Sequence, residues 1–198
     1  MEIWDLYNEK RELTGKTHIR GQKVPQGFYH LVVHVWIKNR KGEYLMSQRS
    51  ADRPAYPLMW ECVGGSAVAG EDSLTAALRE TKEEVGIDLP AESGKIKYSV
   101  VGRIVNEAKF ADIVDAYVFE YDGDIDLNKA TTAEVAQAKW MSLNEIRVLY
   151  EAKKLVHTLD YFFTEIEGKE CRCGNMDFSH QAVGQPYRTD SGASEYID

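Results

Sequence analysis

Residues 71–86 read as a single helix whose two sides ask for opposite surroundings. At about 100° per residue, Glu80, Glu83 and Glu84 gather on one face within a turn, while Leu74, Leu78, Thr81 and Val85 gather on the opposite face. The second face has to dock on a core that the rest of the chain must supply. The first brings three negative charges together, and like charges at this spacing destabilise a helix by a few tenths of a kcal/mol per pair, about 0.2–0.5. A hard divalent cation with oxygen ligands is the natural compensation. Gly86 is placed to end the helix as its C-cap.

The segments on either side of this helix alternate as strands. The apolar run over residues 29–37 reads as a core strand, residues 39–42 as a turn, and residues 43–50 as the returning strand of a hairpin. Pro54 and Pro57 make residues 50–60 a loop, which leads to Gly64 and Gly65. Beyond Pro90, residues 96–105, 111–121 and 137–143 are strand-like, and Ser142 with Glu145 forms a capping-box signal for helical structure over residues 143–166, in one piece or two. Strands before and after one strong helix give an α+β class, a mixed sheet covered by helices. At 198 residues the chain holds roughly one domain, large enough to bury a core without disulfides. We divide it into an N-terminal strand or hairpin extension (1–27), a central domain (28–166) and a C-terminal arm (167–198). The arm has too little apolar content for a core of its own and is expected to take part in assembly, as in a homodimer, or to cover the pocket.

Charge narrows the partners. With 24 basic and 32 acidic side chains the net charge is −8, which gives no electrostatic footprint for a nucleic-acid polymer or an anionic membrane. No apolar run approaches the length of a membrane span, and the N-terminus lacks the apolar segment of a secretory signal. Three cysteines, Cys62, Cys171 and Cys173, do not make a secreted disulfide framework, so a cytoplasmic location is expected. Cys171 and Cys173 with His180 fall short of a four-ligand zinc set.

A glutamate pair and single glutamate on a helix is ordinarily a solvated surface, here with Arg79 and Lys82 as partners. The wider spacing argues otherwise. Gly65, Glu71, Arg79, Glu80, Glu83, Glu84, Gly86 and Ile87 stand in the order G-x5-E-x7-R-E-U-x-E-E-x-G-U, a coincidence expected about once in a million chains at average residue usage. Thr81 occupies a position usually aliphatic but keeps the β-branched shape. This stretch resembles the signature box of the Nudix hydrolases, and the order of elements from about Tyr29 to Phe163 is similar to the Nudix fold, a mixed sheet sandwiched between helices.

The resemblance implies a set of roles. Glu80, Glu83 and Glu84, with the backbone carbonyl of Gly64, would ligate Mg2+ (or Mn2+), and Arg79 and Glu71 would hold those carboxylates in place. The implied reaction is attack of water on phosphorus in a nucleoside diphosphate linked to another group X. The base would be one of the box glutamates, with Glu80, Glu83 and Arg79 as the catalytic set. Alternatively it would be Glu134, which lies six residues before Trp140 at a position that supplies a metal ligand in some members. The layout is also similar to the isopentenyl diphosphate isomerase branch, where a metal-binding histidine stands in the context of His30. That isomerase needs a cysteine before the box, however, and this chain has Gly64 and Gly65 there, with Cys62 displaced upstream. His30 and His34, at i and i+4 of a strand, share one face, and His30 is expected in or near the pocket. Tyr56, Trp60 and Phe110 are candidates to stack a planar group or simply to pack. A prenyl diphosphate isomerase and a non-catalytic ligand sensor stand as alternatives to the hydrolase.

Overall fold

The structure, a computed structural model, describes residues 2–168. Strand β1 (Ile3–Tyr7) pairs antiparallel with β2 (Leu13–Ile19). Strand β3 (His30–Lys38) turns at Asn39, whose side chain accepts from the backbone N–H groups of Lys41 and Glu43, and returns as β4 (Tyr44–Arg49). Two short strands follow, β5 (Trp60–Glu61) against β4 and β6 (Val63–Ser66) against β3. Helix α1 (Ser73–Val85) leads to β7 (Lys95–Val101), the β8 (Ile104–Val105) and β9 (Ala108–Lys109) ribbon, β10 (Asp112–Glu120), β11 (Val135–Met141) and helix α2 (Leu143–Glu151).

The main sheet runs β11-β4-β3-β10-β7, with β5 and β6 attached to β4 and β3. Strand β10 is parallel to β3 and the remaining pairings are antiparallel, so the sheet is mixed. Its central strands are apolar on both faces because both faces are covered. Leu31, Val33, Val35 and Ile37 of β3 join Ala76, Ala77 and Val85 of α1 in one core. Trp36 on the other face packs with Tyr44, Met46, Ile146 of α2 and Phe162. The result is the α+β sandwich expected from the order of elements.

Helix α1 is bounded by local chemistry. The Asp72 side chain accepts from Thr75 N–H at 2.7 Å, and Gly86 closes the helix at φ 70 in the left-handed region, where a Cβ costs most. The two faces read from the sequence are not opposite, however. Ala76, Ala77, Thr81, Glu84 and Val85 are the buried residues, while Leu74 and Leu78 are only half-buried. Glu84 lies seven residues beyond Ala77 and so within about 20° of the same side. The helix therefore docks on its small residues, and one carboxylate goes inward with them.

Helical structure over 143–166 is also interrupted. The Ser142–Glu145 capping box forms as expected, but α2 ends at Glu151 and Lys153 adopts φ 55. Trp60 then takes over the backbone: its N–H donates to Lys154 O and its carbonyl accepts from Val156 N–H, both at 2.8 Å. Among the described residues only short 3-10 and π turns follow, at His157–Leu159 and Phe162–Ile166. Cys171, Cys173 and His180, and nearly all of the arm expected at 167–198, lie outside the described residues.

Candidate functional site

The site is built where β6 passes under α1. A Cβ on Gly65 would stand 2.4 Å from Glu80 Oε1, and one on Gly64 would stand 2.2 Å from the Val33 carbonyl oxygen. Only glycine lets the strand run this close to both its neighbour and the helix carboxylates. Glu84, 5% exposed, accepts from Gly64 N–H at 3.2 Å. Burial, and then the nearby charges of Glu61 and Glu80, push its carboxyl well above the usual range. Burial likewise raises Glu80 to about 7, with Arg79 opposing.

Arg79 is the local counter-charge. Its Nε and Nη2 hold both oxygens of Glu71 at 2.8 and 3.0 Å, and its Nη1 donates to Glu80 Oε1 and Glu83 Oε2, each at 2.9 Å. Nη2 also reaches the Ser66 carbonyl at 3.0 Å, which ties the helix to the end of β6. A planar fork satisfies this set of acceptors in a way a lysine ammonium cannot. Glu83 is the more exposed carboxylate at 37%, and its backbone carbonyl accepts from Thr131 and Thr132. Glu134 follows on that loop, and its Oε1 pairs with Arg53 Nη1 at 2.5 Å. The fold thus gathers Gly64, Glu71, Arg79, Glu80, Glu83 and Glu84 closely, with Glu134 at the margin on Arg53.

Glu61 was not among the residues singled out from the sequence. It sits on β5, bonded to Arg49 at 2.8 Å, and burial raises its carboxyl despite that partner. The available signal was a lone acid between Trp60 and Cys62, three residues before Gly64.

The donor set is all oxygen, which suits a hard divalent cation. Glu84, moreover, has no cationic partner among the described residues. No group of three acidic, histidine or cysteine side chains among the described residues is already disposed as a cage, because Arg79 spans Glu71, Glu80 and Glu83. A cation would share those two box carboxylates with Arg79 and supply the missing partner of Glu84.

Gly64 and Gly65 also line a cavity of about 340 Å3. His30 and His34 both line it, as expected of i and i+4 on one strand face. His34 Nδ1 meets Tyr161 OH at 2.7 Å, and burial holds the His30 ring neutral, with its pKa near 4. Arg49, Arg53 and Arg103 stand on the cavity wall, each paired with a carboxylate, Glu61, Glu134 and Asp112 in turn. Tyr56 and Phe110 line the cavity, whereas Trp60 packs into the core beneath Lys139. The Cys62 thiol is buried and pushed well above its ordinary value by that burial, so it offers no thiolate.

A family model described as the NUDIX domain matches residues 28–164. An uncharacterised Nudix hydrolase of Listeria monocytogenes is 40% identical over 166 residues, 82% of this chain and 91% of that protein. Nudix hydrolase 3 of Arabidopsis thaliana is 33% identical over 153 residues, 74% of this chain and 20% of that protein. A crystal structure from Deinococcus radiodurans shares the fold with a TM-score of 0.64 at 19% identity, covering 79% of this chain and 93% of that one. The matched residues include the glycine strand and the carboxylate-bearing helix, and the chain belongs to the Nudix hydrolases, enzymes acting on pyrophosphate bonds and generally dependent on divalent metals.

Proposed function

We propose that this chain is a Mg2+-dependent pyrophosphohydrolase, with Mn2+ as an alternative ion, that cleaves a small-molecule diphosphate of the form nucleoside diphosphate linked to X by attack of water on phosphorus. The observation that carries this reading is Glu84. It is buried, has no cationic partner among the described residues, and bonds to the glycine strand whose neighbouring surface opens on an arginine-walled cavity. A carboxylate kept in that position calls for a cation, and the Nε of Arg53 on the cavity wall, unpartnered among the described residues, offers a donor to an anion beside it.

Glu80, Glu83, Glu84 and the carbonyl of Gly64 would hold the ion. When bound, a divalent cation offsets phosphate charge and lowers the pKa of water. Arg79, fixed by both oxygens of Glu71, keeps Glu80 and Glu83 in place as charge shifts between ion and substrate. Glu80, Glu83 or Glu134 accepts the proton of the attacking water. Glu134 is held by Arg53, a cavity residue, so an anion that engages Arg53 would free it. A chain of net charge −8 fits a small anionic substrate held by local arginines better than a nucleic-acid polymer. No helix among the described residues is long and apolar enough to cross a membrane, and we place the protein in the cytoplasm on its cysteine usage.

The test is a panel of nucleotide sugars, dinucleoside polyphosphates, nucleoside triphosphates and prenyl diphosphates, assayed for phosphate-containing products with Mg2+ or with chelator. Turnover of at least one compound, abolished by chelator and reduced at least about a hundredfold by Glu83→Gln, is the expected result. Turnover that survives chelation, or allylic isomerisation of a prenyl diphosphate without hydrolysis, overturns the proposal.

A further inference from the structure

Three buried side-chain polar atoms have no hydrogen-bond partner among the described residues: Arg53 Nε, His30 Nδ1 and Asp112 Oδ1. All three residues line the same cavity. Leaving such atoms unpaired costs about 1–3 kcal/mol each, so their concentration around one empty volume is a sign of what that volume receives.

The atoms fall into two sets. Arg53 belongs to the arginine wall near Glu134 and suits a phosphate oxygen. His30 and Asp112 form the second set. They are register partners on the adjoining parallel strands β3 and β10, so their side chains stand next to each other on one sheet face. Their exposures are 7% and 3%. Each is fixed by a neighbour, His30 by stacking on Trp4 at 4.0 Å between ring centroids and Asp112 by the Arg103 fork on its Oδ2. What is left over is one imidazole nitrogen and one carboxylate oxygen, on a floor that the cavity shares with both apolar groups such as Val32 and Phe110 and polar ones such as Gln22 and Arg103.

We infer that this floor recognises a hydroxyl-bearing group at the far end of the diphosphate substrate, with Asp112 Oδ1 accepting from the hydroxyl and His30 Nδ1 completing its hydrogen bonding. The inference rests on the proposed pyrophosphohydrolase reading and narrows it, since it makes X a polyol or sugar and not a hydrocarbon chain. A hydroxyl suits the pair because it both donates and accepts. A purely apolar group would bury Asp112 and His30 with their atoms still unpaired, and sites of that kind discriminate strongly against analogues lacking the polar group. The cavity, at about 340 Å3, is at the small end of ligand pockets and holds one compact group.

The experiment is calorimetric binding, in the presence of Mg2+, of two non-hydrolysable methylenediphosphonate esters of equal chain length, one of ribitol and one of n-pentanol. Binding is read independently of turnover. The wild type is expected to bind the ribityl ester about tenfold or more tighter than the pentyl ester, the factor that one hydrogen bond to a buried charged group supplies. His30→Phe keeps a ring to stack on Trp4 and should fold with an unchanged or raised melting temperature, yet bring the preference down to about twofold. Asp112→Asn should also weaken the preference, and the wild-type comparison is decisive without either variant. Equal binding, tighter binding of the pentyl ester, no binding of either ester, or a full preference retained in both variants overturns the inference. If the ribityl ester binds selectively but no diphosphate is hydrolysed, the inference stands and the proposed hydrolysis fails.

Discussion

Glu84→Gln should stabilise the metal-free protein, and the size of the effect follows from where Glu84 sits. Its carboxyl is 5% exposed, its neighbours Glu61 and Glu80 are acids, and it accepts one backbone N–H at 3.2 Å. In the folded state it must stay charged in that setting or take a proton from water. Taking the proton limits the cost, because moving a group of ordinary pKa 4.5 to its neutral form at pH 7.5 costs about 4 kcal/mol, and at pH 5.5 only about 1.4. Glutamine removes that cost and keeps an oxygen for Gly64 N–H. Allowing for imperfect pairing of its new amide, we expect a net gain of about 2–3 kcal/mol at pH 7.5. At roughly 2–4 °C per kcal/mol for a chain of this size, the melting temperature in chelator should rise by about 4–12 °C. Excess Mg2+ should reverse the order, since an ion at a hundred times its Kd adds about 2.7 kcal/mol to the wild type and much less to a variant missing a ligand. Glu83→Gln, by contrast, should give no gain in chelator, because Glu83 is more exposed and already bonded to Arg79. Thermal melts of the three proteins at pH 5.5 and 7.5, with chelator and with Mg2+, provide the check. A Glu84→Gln variant that melts below wild type in chelator at pH 7.5, or whose advantage does not shrink at pH 5.5, refutes the reasoning.

Further expectations rest on other contacts. Arg79→Lys loses the paired bonds to Glu71 and leaves two box carboxylates less well held, so urea unfolding should show a loss of about 2–4 kcal/mol and turnover should fall at least tenfold; a variant matching wild type in both counts against Arg79 as the organising group. Burial raises Glu80 to about 7, so its contribution to metal-free stability is full below pH 4.5 and is lost as pH rises through 7. Mg2+ must displace that proton, so the Mg2+-induced rise in melting temperature should grow between pH 5.5 and 8, and a rise largest at pH 5.5 would contradict this. Thr81→Val should change stability by no more than about 1 kcal/mol and leave turnover intact, because the buried hydroxyl only donates back to the Ala77 carbonyl at 2.8 Å; a larger loss in chemical denaturation would show that hydroxyl to matter.

What could be read in the sequence is what depends on near neighbours. Gly86 and the Ser142–Glu145 box mark helix ends through contacts a few residues long, and both are present. Alternation along β3 placed His30 and His34 on one face, where they line the cavity. The inward turn of Glu84 was not legible from an acidic face, because the helix docks through Ala76 and Ala77 and not through its leucines. Glu61 was missed because its burial depends on β5 joining β4, a pairing between short segments separated by a proline loop. The break after Glu151 depends on Trp60 bonding to residues nearly a hundred positions later, and the Arg53–Glu134 pair likewise joins two distant loops. None of these leaves a periodic trace.

The most direct measure of the central claim, that the box carboxylates hold the ion, is Mn2+ binding followed by electron paramagnetic resonance on folded wild type and on folded Glu80→Gln/Glu84→Gln. We predict that the wild type depletes free Mn2+ in a saturable way that Mg2+ competes away, and that the double variant, with unchanged circular dichroism, leaves Mn2+ essentially free. Equal Mn2+ binding by both proteins would contradict the account.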